Sequence, residues 1–128
     1  MLRTVLIPTL VVLALAGCAS SKIVPADLGA TRQTTAGAVL VDSKGMTLYT
    51  YDKDAPGQSN CHGMCAMFWP PAKAPDDAQA TGDFSVIDRD GGKQWAYKGM
   101  PLYGYLKDDA PGDVKGDNVD GVWHVVVP

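Results

Sequence analysis

Hydrophobic residues fall into one long run at the start of the chain and into short bursts thereafter. The first run, Val5 to Ala16, leads directly into Gly17-Cys18. From Gly37 onward the apolar stretches are short, rich in β-branched and aromatic side chains, and separated by Gly- and Asp-bearing turns. Ala38 to Val41 precedes the turn Asp42-Ser43-Lys44-Gly45 and then Met46 to Tyr51. Phe84 to Ile87 precedes Asp90-Gly91-Gly92 and then Gln94 to Tyr97. Lys98-Gly99 leads into Met100 to Leu106, and Val122 to Val127 closes the series. Bursts of this kind bounded by turn residues predict β-hairpins. Only the segment Cys61 to Phe68 reads as a short helical turn. Ser59 or Asn60 is placed to cap it, and Trp69 must leave helical geometry because Pro70 follows.

The bursts repeat. Lys44-Gly45-Met46-Thr47-Leu48-Tyr49-Thr50-Tyr51-Asp52-Lys53-Asp54-Ala55-Pro56-Gly57 returns as Lys98-Gly99-Met100-Pro101-Leu102-Tyr103-Gly104-Tyr105-Leu106-Lys107-Asp108-Asp109-Ala110-Pro111-Gly112, one inserted Asp longer. The same spacing relates Trp69 to Trp123. Two copies are too few for a solenoid, so a pseudo-symmetric pair sharing one core is predicted. Strand alternation puts Tyr49 with Tyr51, and Tyr103 with Tyr105, on one face; Met46/Leu48 and Met100/Leu102 take the other. The fold class is therefore all-β: a small domain of two β-hairpin repeats (residues 37–71 and 84–128 of a domain spanning 37–128) with one helical turn.

Composition sharpens this. All fourteen acidic residues are Asp and none is Glu, alongside fourteen Gly and nine Pro. Asp prefers turns and caps to helix interiors. The net charge of −3 and the lack of a basic run exclude a nucleic-acid partner. The leading apolar run is too short to span a bilayer and, following Arg3, has the form of a secretory signal over residues 1–17. Leu15-Ala16-Gly17-Cys18 fits a lipobox, which makes Cys18 the lipidation site. The competing cut after Ala14-Leu15-Ala16 would leave a secreted protein and a lone thiol at Cys18. Residues 18–36 are then a lipidated cysteine and a flexible tether. Because Ala19 follows the cysteine where an inner-membrane retention signal would place Asp, a Gram-negative host would carry the protein on its outer membrane, facing the periplasm.

Tyr49-x-Tyr51-x-x-Asp54 and Tyr103-x-Tyr105-x-x-Asp108 resemble the Y-x-[FWY]-x-x-D motif of a family of predicted bacterial lipoproteins, the secreted repeats of unknown function. The wider match includes Ser59-x-Cys61-x-Gly63-x-Cys65-Ala66, Trp69-Pro70-Pro71, Gln94-Trp95-x-Tyr97-x-Gly99 and Trp123-His124-Val125-Val126. The resemblance implies an envelope lipoprotein of two repeats and implies no activity.

Cys61-His62-Gly63-Met64-Cys65 is the most reactive-looking segment. Cysteines one helical turn apart suit a local disulfide, which an oxidising compartment favours. Alternatively Cys61, His62, Met64 and Cys65 offer soft ligands to Cu(I), making a periplasmic metal or redox accessory protein. The paired tyrosines read either as a packed β face, hydroxyls bonded to backbone and Asp54 and Asp108 accepting turn amides, or as a ligand surface. The aspartates from Asp108 to Asp120 miss the EF-hand spacing and read as solvated turns. The two histidines, His62 and His124, sit in no nucleophile–base motif, so the chain reads as a non-enzyme requiring no cofactor. Its partners are the membrane through the lipid anchor and an envelope protein, cell-wall material or a small apolar ligand.

Overall fold

The computed structural model describes residues 25–128, so the leader and Cys18 lie outside the described residues. Alternating and β-branched residues build eight short strands: β1 (Leu28–Thr34), β2 (Gly37–Asp42), β3 (Tyr49–Tyr51), β4 (Lys73–Ala74), β5 (Phe84–Arg89), β6 (Gly92–Tyr97), β7 (Met100–Pro101) and β8 (Trp123–Val125). A five-residue helix, α1 (Met64–Phe68), and a 3₁₀ turn at Val119–Gly121 complete the set.

Hairpin β1–β2 in repeat one corresponds to β5–β6 in repeat two, and the repeats then exchange strands. β3 of repeat one pairs with β8 of repeat two, while β4 of repeat one pairs with β6. Matching backbone bonds make the relation a pseudo-twofold. Leu40 N–H donates to the carbonyl of Val126, as Trp95 N–H does to that of Ala72, both at 2.8 Å. The axis passes between Tyr49 and Tyr103, whose backbones bond reciprocally at 2.8 and 2.9 Å. Fold class and two-repeat organisation thus follow the sequence reading.

The boundary of the fold does not. Residues 18–36 read as tether, yet Leu28–Thr34 is a strand, in register with Gly37–Asp42 across a two-residue turn. Its side chains are mostly exposed, so small and polar residues carry it. It is held by backbone ladder bonds, with Leu28 buried at one end. Hydrophobic patterning cannot reveal such a strand. The second repeat could have, because Phe84–Arg89 stands before Gly92 as Leu28–Thr34 stands before Gly37.

Two buried clusters lie on opposite faces of the exchanged strands. One gathers Leu28, Leu40, Leu48, Phe84, Trp95 and Leu102. The other gathers Tyr49, Cys61, Trp69, Tyr103 and Trp123, with Tyr51 and Tyr105 packed against them. This is the two-faced division that strand alternation predicts.

Candidate functional site

The motif residues converge on the pseudo-twofold axis. Tyr49 Oη donates to Asp108 Oδ2 at 2.6 Å, and Tyr103 Oη donates to Asp54 Oδ2 at 2.7 Å. Each repeat's first tyrosine is therefore satisfied by the other repeat's aspartate. The second carboxylate oxygen fixes a loop: Asp54 Oδ1 accepts Asn60 N–H at 2.6 Å and Asp108 Oδ1 accepts Lys115 N–H at 2.9 Å. The sequence reading foresaw the turn amides but sent the hydroxyls to backbone. Their main acceptors are carboxylates 49 and 59 residues away, which no local pattern encodes.

Burial pushes the Tyr49 hydroxyl far above its ordinary range, and its bond to Asp108 pushes it further. Burial does the same to Tyr103; Ser59 opposes it and Asp54 adds to it. Asp108 is raised by burial, against the lowering bonds from Tyr49 and Lys115. These shifts belong to a desolvated structural pair. Both tyrosines stay protonated donors across the physiological range.

Around these pairs the rings form a column. Tyr51, Trp123, Trp69 and Tyr105 stack in that order at 4.2, 3.8 and 4.0 Å between centroids. The central tryptophans are parallel to within 2°. Tyr49 meets Trp69 edge-on at 5.5 Å, and Tyr103 meets Trp123 edge-on at 5.2 Å. Such pairs contribute about 0.5–1.5 kcal/mol each beyond their buried area. The repeated spacing of Trp69 and Trp123 was visible in the sequence; their face-to-face contact was not.

The repeats differ in the loop after each motif. In repeat one Cys61 and Cys65 form a disulfide with Cα atoms 5.3 Å apart, as their spacing suggested. Repeat two has Gly116 where repeat one has the buried Cys61. A Cβ at Gly116 would stand 2.8 Å from both Trp69 and Tyr49. Arg89, missed in the sequence, braces the cysteine loop together with Ser59 and Gln94, whose part in it was also not read. Arg89 donates to Ser59 Oγ at 3.0 Å, Gln94 Oε1 at 2.9 Å and the Cys61 carbonyl at 2.9 Å. Buried Gln94 donates on to the Leu102 carbonyl at 2.7 Å, and Ser59 Oγ lies 2.6 Å from Tyr103 Oη. A polar residue at an inward position of its strand, Gln94 beside Trp95, was the available signal.

Gly63 occupies the N-cap position of α1 with no side-chain cap bond, so neither Ser59 nor Asn60 caps it; Ser59 Oγ instead accepts Cys61 N–H at 3.3 Å. None of its residues is buried. Met64 and Met67 are 72% and 68% exposed, and Phe68 is 43% exposed. Leu106, 60% exposed, adjoins them through its N–H bond to the Phe68 carbonyl at 2.8 Å. The disulfide thus presents an apolar surface beside the Tyr105 end of the ring column.

The structure does not bring Cys61, His62, Met64 and Cys65 together as a free ligand set. The thiolates that would bind Cu(I) are spent on each other. His62 is held between the Ser59 carbonyl at 2.9 Å and Asp90 at 3.1 Å, and Met64 points to solvent. Among the described residues no group of three or more His, Cys, Asp or Glu forms a metal-binding cluster. The second histidine, His124, pairs with Asp52 at 2.7 Å.

Among curated proteins and solved structures, none matches this chain. A protein-family comparison matches residues 30–73 and again 85–127, more than half of the chain, and these intervals are the two halves of the pseudo-twofold. The chain belongs to the family described as the secreted repeat of unknown function.

Proposed function

We propose that the protein is a non-enzymatic binding module of the cell envelope, anchored by lipid at Cys18 and, in a Gram-negative host, placed on the outer membrane facing the periplasm. Its motif residues support the non-enzymatic reading because they are consumed as scaffold: Tyr49, Tyr103, Asp54 and Asp108 satisfy one another. Each histidine has an aspartate partner, but neither completes a relay. The other ring nitrogen of His62 meets the Ser59 carbonyl rather than a hydroxyl or thiol.

The observation that carries the binding reading is the α1 surface. A five-residue helix with no fully buried side chain adds only Cys65 to the edge of the aromatic cluster, leaving Met64, Met67 and Phe68 outward, yet a disulfide holds it in place. Exposed apolar residues grouped this way mark interaction sites. Methionine adapts to irregular apolar partners, which favours another envelope protein over polar cell-wall glycan. With lipid on Cys18, only about seven residues precede Pro25, a reach of roughly 25 Å, so the partner lies close to the membrane.

In-cell crosslinking tests this, using a photoreactive amino acid at position 67 of the full-length chain in its host. One adduct of a single protein mass is expected, abolished by Met64→Asp and unaffected by Lys98→Ala. No adduct, or adducts indifferent to Met64→Asp, would remove the α1 surface from the reading. Processing that leaves Cys18 unacylated would remove the anchor.

A further inference from the structure

Beyond the loop after each motif, the two repeats also depart from each other at the open end of their first hairpins. In repeat two the first register pair of hairpin β5–β6 is Phe84 with Tyr97, whose rings lie 5.2 Å apart. The Lys98 ammonium lies 5.5 Å from the centre of the Tyr97 ring. In repeat one the first register pair of hairpin β1–β2 is Leu28 with Asp42. Lys44 precedes Gly45 as Lys98 precedes Gly99, but its hairpin brings it no ring. A cleft of about 340 Å³ opens there, with Leu28, Leu48, Pro71 and Ala72 as apolar lining and Lys44 and Lys73 as cationic lining.

The charges of this cleft are unevenly committed. Asp42 Oδ1 already accepts the amides of Lys44 and Met46, at 2.9 and 3.0 Å. Asp27 Oδ2 accepts the Trp95 indole N–H. Among the described residues neither Lys44 nor Lys73 takes part in an ion pair. A volume of this size is at the small end of ligand pockets, which are mostly apolar with a few placed polar groups.

We propose that this cleft binds a small aromatic carboxylate. Its ring takes the place that the Phe84–Tyr97 pair fills in repeat two. That gives Lys44 the cation–π partner that Lys98 has in cis, and the carboxylate meets Lys73. Repeat two carries its own occupant as side chains; repeat one receives it from solution. This goes beyond the binding-module reading and uses a surface separate from α1, so either can fail alone.

The test is amide-resonance mapping by NMR on the secreted chain from Ala19, titrated with phenylacetate, cyclohexylacetate and 2-phenylethanol. Phenylacetate is expected to shift Leu28, Lys44, Leu48, Ala72 and Lys73 saturably. Each of the other two probes should bind roughly two- to five-fold more weakly, having lost the ring face or the charge. Lys44→Met should erase the preference for phenylacetate over cyclohexylacetate. Leu28→Phe should fill the cleft and abolish binding with the thermal midpoint kept; Ala72→Leu does so from the other wall if the first variant fails to fold. Non-saturable shifts, shifts centred on α1, equal binding of all three probes, or binding that survives both filling variants would each overturn the proposal.

Discussion

Tyr49 and Tyr51 sit two residues apart on one strand face, yet their hydroxyls have different standing. Tyr49 is fully buried and donates to Asp108, itself only 8% exposed. Tyr51 is half-buried and packs its ring on Trp123. Tyr49→Phe leaves a desolvated carboxylate short of a donor, an expected loss of about 2–3 kcal/mol in urea unfolding. Tyr51→Phe keeps the stack and should fall within about 0.5 kcal/mol of the parent. Equal losses for the two would mean that the bond to Asp108 adds nothing. Gly116→Ala pushes a methyl into Trp69 and Tyr49, and overpacking of that kind costs about 1–3 kcal/mol. Matched melts of the variant and parent check it. The importance of Tyr49, Tyr103, Asp54 and Asp108 was legible as a repeated spacing. That each bond crosses between repeats was not, because a periodicity reports similarity and carries no information about which copy touches which.

At the scale of elements, strands marked by bursts of large apolar side chains were read well, and β1 and β4, which lack such bursts, were not. β2, β5, β6 and β8 announce themselves by β-branched and aromatic bursts. β1 is carried by backbone pairing along its length, with its burial confined to Leu28, and the two-residue β4 buries only the small Ala74 beside its bonds to β6. α1 depends on its clip. The closed loop is short, so Cys61→Ala with Cys65→Ala should cost about 2 kcal/mol or less. Amide exchange should accelerate within Cys61–Phe68 while the β5–β6 amides keep their protection. Faster exchange spreading to β3 and β8 would instead make the disulfide a support of the whole aromatic cluster.

For the molecule as a whole, the paired tyrosines set a limit at high pH. Both are protonated donors whose ionisation is pushed above the ordinary value near 10 by burial. The unfolded chain therefore loses these protons first as pH rises. Stability from this source is complete below about pH 10 and falls above it, by about 1.4 kcal/mol per pH unit for each tyrosine. Unfolding at pH 9 and pH 11 should show this slope, and Tyr103→Phe should reduce it by about half. An unchanged slope in that variant would place the alkaline loss elsewhere.

Much of this protein is determined by local sequence. Turn-rich composition without Glu makes it all-β, the repeated segment makes it two-fold, and a four-residue cysteine spacing permits the disulfide. Such properties depend on near neighbours and on period, which a linear chain displays directly. Tertiary structure alone decided that the repeats exchange strands, that Tyr49 answers to Asp108 and Tyr103 to Asp54, and that Trp69 lies flat on Trp123. It also decided that a cleft opens in one repeat where rings stand in the other. Those outcomes depend on contacts between residues some fifty positions apart, where the satisfaction of buried polar groups and the packing of rings are settled only once both copies are in place.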